Sequence, residues 1–169
     1  MESQARPSSR GQGTLDALVA TAAAALAREL PSRRWFGDKS RAIVSVTAVD
    51  HAALPGTGGV LALVRVDFTT GPPTTYCVPM AELAGRGPED TVADALDDPA
   101  FGVALVEGIR RGDTLPGRHG RFRFSATDAL PDILPAATPA ATRVGTEQSN
   151  TSVAFERRAI LKVFRKLES

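Results

Sequence analysis

The sequence predicts an α+β fold: a mainly antiparallel sheet flanked by helices, followed by a short second set of strands near the C-terminal end. Three observations predict it. An apolar stripe of helical period precedes a block of period-two segments, the connections between those segments are short and rich in Gly and Pro, and a further β-prone hairpin follows a proline-studded stretch. Residues 1–13 are rich in Ser, Gly, Gln and Arg and are expected to form a disordered tail. Leu15, Leu18, Val19, Ala22, Leu26 and Leu30 then recur at helical spacing, with Thr14 or Asp16 available as a cap and Pro31 as the stop. Ile43, Val44, Val46 and Val49 predict a first strand, closed by the turn residues 55–59. Val60–Phe68 predicts a second, with Val60, Ala62, Val64 and Val66 on one face. Gly71-Pro72-Pro73 turns the chain into a third strand over 74–79, and such short connections favour an antiparallel meander.

After Gly85-Arg86-Gly87-Pro88 the period changes. Glu89–Leu96 and Pro99–Arg110 read as two helices, the second with Asp98 as N-cap, Pro99 in its first turn and Gly112 as C-cap. Asp94, Asp97 and Asp98 imitate a metal cluster in residue type, yet a position at a helix start explains them as capping groups. Arg121–Ser125 alternates like a strand. Pro131, Pro135 and Pro139 then mark a linker, which sets the expected organisation: a tail over 1–13, a first subdomain over 14–130, a linker over 131–141 and a partial second subdomain over 142–169.

Composition narrows the functional classes. Hydrophobic content of 43% and charged content of 23% are those of a folded domain rather than a disordered chain. Twenty basic against 19 acidic residues give a net charge of +1, which argues against nucleic acid as a partner because no one-signed field displaces counterions. A single cysteine, Cys77, excludes an internal disulfide and reads as a half-buried strand thiol. His51 and His119 lack ligand-spaced partners, so no metal site is expected. No apolar run reaches spanning length and the start has no signal-peptide core, which together predict a cytoplasmic protein without membrane association.

Two clusters carry the chemistry. In the terminal hairpin, Thr151–Phe155 and Ala159–Arg165 are β-prone runs joined by Glu156-Arg157-Arg158, and Ile160, Lys162 and Phe164 share one face. A lysine between Ile and Phe needs a snorkelling route or an anionic partner, and nucleotide phosphates would supply the latter. The small polar residues from Glu147 to Ser152 could wrap phosphate oxygens with backbone N–H and hydroxyl donors. A solvated edge lysine after an ordinary polar turn has the same spacing, so spacing leaves both readings open. The second cluster, Arg33 to Arg41, places Trp35 and Phe36 among basic residues. It reads either as a sugar- or anion-contacting loop or as an aromatic anchor that staples the first helix to the sheet, and the anchor is the expectation.

Arg34-Trp35-Phe36-Gly37-Asp38-Lys39-Ser40-Arg41, Asp98-Pro99-Ala100-Phe101, Gly145–Ser152 and Ile160-Leu161-Lys162-Val163-Phe164-Arg165-Lys166-Leu167 together resemble bacterial maltokinases, of the aminoglycoside-phosphotransferase-like kinases. The resemblance implies an N-terminal cap subdomain followed by the first strands of a protein-kinase-like N-lobe. It implies ATP and Mg²⁺ as cofactors and maltose as acceptor, giving maltose 1-phosphate for glycogen or α-glucan synthesis. Related kinases with a similar cap act on other sugars, glucosamine among them. By resemblance Ser149, Asn150, Thr151 and Ser152 match the phosphate-binding loop, Lys162 the lysine on the α- and β-phosphates, and Val153 and Ile160 the apolar residues around adenine. Asp38 departs from the motif, where the family has glycine. The chain ends seven residues after Lys162, before any counterpart of the helical lobe that carries the catalytic base, the metal ligands and the sugar site in this family. The expectation is therefore an N-terminal fragment that holds no catalytic residue and is inactive alone. The competing expectation is a non-catalytic cap or regulatory module that binds a partner protein, such as a separately encoded catalytic lobe.

Overall fold

Alternation along the meander decides which face of the sheet meets which helix. The computed structural model describes residues 9–87, 89–134, 139–147 and 149–167. Helix α1 (Ser9–Glu29) runs into a 3-10 turn at Leu30–Ser32, where Pro31 stops it. Strands β1 (Ile43–Ala53), β2 (Val60–Phe68) and β3 (Thr74–Ala81) follow, then β4 (Ala93–Asp94), a 3-10 turn at Ala95–Asp97 and helix α2 (Pro99–Arg111). The chain continues through β5 (Thr114–Pro116), β6 (Arg121–Arg123), the short α3 (Leu130–Ile133), β7 (Ala141–Glu147), β8 (Asn150–Phe155), β9 (Ala159–Phe164) and β10 (Lys166–Leu167).

β1, β2 and β3 form an antiparallel meander, as the short turns predict. Val60, Ala62, Val64 and Val66 are all buried on one face of β2. Helix α1 lies over that face, and its small inward residues Ala22, Ala23 and Ala25 let the helix approach closely beside Val19 and Leu26. Trp35 and Phe36 close the end of this first core against Tyr76, with ring centroids 6.0 and 5.2 Å from the tyrosine. Trp35 is 3% exposed, so the aromatic pair is the expected anchor. His51, also buried, places Nε2 3.0 Å from the Asp16 carboxylate of α1.

The opposite face of the meander carries a second core. Leu61, Ala52 and Leu54 meet Phe101, Leu105 and Val106 of α2, and these in turn meet Ala141, Val153 and Phe155 of the three-stranded sheet β7-β8-β9. Helix α2 matches its sequence signals. The Asp98 carboxylate accepts from the Ala100 amide at 2.9 Å, and Gly112 closes the helix at φ 67°. Gly102 sits where α2 crosses the second sheet. A Cβ there would lie 3.1 Å from Val153 Cγ1 and 3.2 Å from the Ala141 Cβ, so only glycine allows this approach without a shift.

The structure differs from the sequence expectations in four places. Residues 9–13 of the expected tail belong to α1, while residues 1–8 lie outside the described residues. Residues 89–96 form no helix: Asp94 is extended in β4 against Met80, and its carboxylate caps the following 3-10 turn through the Leu96 amide. Strands β5, β7 and β10 were not expected either. β5 pairs with β6, and the β5–β6 turn is held by Asp50, whose carboxylate accepts from the amides of Arg118, His119 and Gly120. Finally, the expected boundary at 131–141, of which 135–138 lie outside the described residues, does not separate two cores. Residues on both sides of it share the second core, and β10 pairs antiparallel with β3, Lys166 opposite Tyr76.

A shared core makes a specific prediction. Gly102→Val should cost about 1–3 kcal/mol, the usual range for forcing extra methyl groups into a packed contact, read as a lowered midpoint in chemical denaturation. Amide exchange in β7 and β8 should quicken more than in β1 and β2; a change confined to α2 would show that the second sheet does not depend on the contact.

Candidate functional site

The outer face of the β7-β8-β9 sheet is the part of the structure that the terminal motif builds. Strand alternation puts Ile160, Lys162 and Phe164 on this face, and all three are exposed, the two apolar residues by 63% and 62%. Across the ladder Ser152 stands opposite Lys162, and Ala154 stands opposite Ile160. Val144, displaced by a bulge in β7, adds a further exposed apolar group, 61% accessible. The result is a lysine ammonium and a serine hydroxyl in the middle of an uncovered apolar strip. Such a strip favours a flat apolar ring, and the ammonium beside it favours an anion.

The residues matched to the phosphate loop part company. β7 runs to Glu147 and β8 starts at Asn150, with Glu147 paired to Asn150, so the polar stretch is mostly strand and the loop shrinks to a tight turn. Gln148 lies outside the described residues. Ser149 is exposed at φ 86°, and its carbonyl accepts the Arg165 amide at 2.7 Å. Asn150 is buried. Thr151 is fully buried, and its hydroxyl accepts from Nε and Nη2 of Arg165 at 3.0 Å each. Val153 is turned inward against α2, on the opposite face of the sheet from Ile160 and Lys162. Thr151 and Val153 are therefore corrected to interior positions: strand alternation from Ser152 sends both away from Lys162. Ser152, Ile160 and Lys162 remain together.

Sequence reasoning missed the group that holds this sheet in place. Arg165, between β9 and β10, is fully buried. Its guanidinium donates to Asp94 at 2.5 Å and lies 4.9 Å from the centroid of the Trp35 ring. Burial pushes the pKa of Arg165 down, and the Asp94 charge opposes that shift. Its carbonyl accepts from the Cys77 amide of β3 at 2.7 Å. Burial of the Cys77 thiol pushes its pKa up to about 11, so it is a structural thiol rather than a nucleophile. The next residue, Lys166, reaches Asp38 at 3.1 Å, and the same carboxylate accepts from the Tyr76 hydroxyl at 2.5 Å and from Arg41 at 3.4 Å. Asp38 is thus the socket for the lysine of β10. The available signal was the alternation itself: Arg165, just past β9, falls on the same face as Leu161 and Val163, where a charge demands a partner. Among the described residues no group of three His, Cys, Asp or Glu side chains could hold a metal ion.

A helix laid over an antiparallel meander, with a second small sheet docked through α2, defines an α+β cap module. Residues 30–106 match the family model of the maltokinase N-terminal cap domain. Trp35, Asp38, Tyr76 and Asp94 lie inside the matched range, whereas Ser152, Lys162 and Arg165 lie beyond it.

The Asp38 socket makes the stability of the chain depend on acid. Burial raises the pKa of Asp38, but hydrogen bonds from Tyr76, Lys166 and Arg41 outweigh it and the net direction is downward. A depressed carboxylate stabilises the fold above its unfolded pKa and loses that contribution as pH falls through the folded one. Denaturation midpoints taken from neutral pH down into the acid range should fall for the parent protein. Asp38→Asn should be weaker at neutral pH by about 1–3 kcal/mol and show a flatter acid limb; parallel curves would mean that Asp38 is not the titrating group.

Proposed function

We propose that this chain supplies the cap and the nucleotide-facing sheet of an ATP-dependent sugar kinase that resembles maltokinase, which transfers a phosphoryl group from ATP to maltose and yields maltose 1-phosphate for α-glucan synthesis. One observation carries the reading: a maltokinase-type cap domain is joined to a sheet whose uncovered face presents Lys162 between Ile160 and Phe164, opposite Ser152. ATP brings the transferable phosphoryl group. Lys162 acts as a point charge on its phosphates, Ser152 adds a hydroxyl donor, and Ile160 with Ala154 offers apolar surface to the adenine ring. The same residues do not fit Mg²⁺, since the described part of the chain has no ligand set for it. The metal, the base that orients the sugar hydroxyl and the acceptor pocket then belong to a helical catalytic lobe with which this chain works. The choice between maltose and a sugar such as glucosamine would rest with that lobe. An enzyme drawing on the cellular ATP pool would work in the cytoplasm.

The exposure of Val144, Ile160 and Phe164 favours a second reading, in which the same face is the docking surface of a non-catalytic cap or regulatory module for a partner protein.

Titration of the isotopically labelled chain with ATP separates the two. A one-sided site leaves the nucleotide largely hydrated, so affinity should be no tighter than roughly millimolar, about 4 kcal/mol. Amide shifts should centre on Ser152, Lys162 and Phe164 and vanish in Lys162→Ala. Shifts that are absent, or that survive the substitution, would leave the docking reading in possession of this face. Phosphorylation of maltose by the chain unaided would overturn the assignment of catalysis to another lobe.

A further inference from the structure

We infer that Arg165 is a positioning residue through which the cap sets the turn at Ser149 and the strand that carries Lys162. The inference deepens the nucleotide reading above and rests on it only for what the turn would bind; the coupling itself is a property of this chain.

One residue touches every part involved. Its backbone N–H donates to the carbonyl of Ser149, the turn residue held at φ 86°. Its backbone carbonyl accepts from Cys77 in the middle of the cap strand β3. Its guanidinium holds the Thr151 hydroxyl, two residues beyond the turn, with Nε and Nη2 and reaches Asp94 of the cap with Nη2. The Trp35 ring stacks beneath the guanidinium, and Lys166 next along the chain is seated in the Asp38 socket. Arg165 follows Lys162 by three residues. A displacement of Asp94 or Trp35 is therefore transmitted to both ends of the face that Lys162 occupies.

The geometry also explains why the turn needs outside help. A non-glycine residue at positive φ is a strained conformer that persists only when its surroundings over-determine it. Ser149 has no glycine freedom, and the bond from Arg165 fixes its carbonyl. The buried arginine has Asp94 and Thr151 as partners for Nε and Nη2, while its buried Nη1 has none; with either partner gone, the cation loses compensation it cannot spare. The cap is thereby a stator for the turn rather than a cover beside it. Lysine at position 165 would supply the charge without the planar fork that reaches Thr151 and Asp94 together.

Hydrogen exchange on the full-length chain tests this with three substitutions. Thr151→Val keeps the shape and removes the hydroxyl, Thr151→Ser keeps the hydroxyl, and Asp94→Asn removes the charge from the cap side. Thr151→Val and Asp94→Asn should speed exchange of the Arg165 amide and of the β8–β9 amides nearest the turn on the order of tenfold, while β1 and β2 stay at parent rates. Thr151→Ser should keep the parent rates throughout. Unchanged exchange at Arg165 in both weakened variants overturns the proposal. So does equal loosening by Val and Ser, or a uniform rise that includes β1 and β2, since either shows general packing rather than a specific bond. The ATP titration stands apart from this outcome: a chain whose turn responds to Asp94→Asn yet shows no nucleotide shifts at Lys162 retains the coupling and loses the nucleotide.

Discussion

The arrangement of the last strands rests on one buried cation. Taking a guanidinium out of water costs several kcal/mol even after the protein relaxes, and removing one partner of such a pair typically costs 3–5 kcal/mol. Arg165 survives inside because Asp94 brings the opposite charge and Thr151 two lone pairs, while the indole face of Trp35 offers a surface on which a flat cation is well tolerated. Those partners come from three separate stretches of chain. The ion pair can therefore form only in one arrangement, and it specifies that arrangement more than it stabilises it.

Around it the two cores divide the labour. The first, under α1, is built from local meander contacts and draws its buried apolar residues from the stretch that ends at Val92. The second recruits α2 and then β7 and β8, so that the outer sheet is carried on the cap through Phe101, Gly102 and Leu105 instead of standing free. Packing from behind leaves the outer face of that sheet with no obligation to the interior. Ile160, Lys162 and Phe164 are uncovered for this reason, and the face is available for a ligand or a partner lobe.

Much of this was legible in the residues. The meander strands, the Asp98 and Gly112 caps and the terminal hairpin followed from period and turn chemistry, because each depends on neighbours within a few positions. Trp35 and Phe36 could be read as an anchor on size alone. The failures share one cause. Residues 89–96 have helical composition, but Asp94 is committed to β3 and to Arg165, and a distant contact overrides local preference. Glu147 to Ser152 looked like a loop because small polar residues are frequent in loops, yet four of the six are paired in strands, and the Thr151 hydroxyl accepts from a buried arginine. Asp38 looked like a blemish in a motif until Lys166 and Tyr76 arrived from far along the chain.

The seat of β10 bears on the order of events during synthesis. Its pairing joins Lys166 to Tyr76, a separation that no local segment can close early. While the chain leaves the ribosome, helix α1 and the meander can condense as soon as β3 has emerged. Asp38, Tyr76 and Asp94 must then wait, hydrated, until Arg165 and Lys166 have also emerged. Long-range pairings of this kind form late and slowly, since loop closure is incurred before any contact rewards it. The nascent protein thus passes through a stage in which the cap is largely folded and one edge of β3 is open. Edges of that kind invite the wrong strand. The charged pair at Asp38 and Asp94, awkward for an apolar intruder and matched to the Arg165-Lys166 dipeptide, acts as a lock whose key is made later than the lock itself.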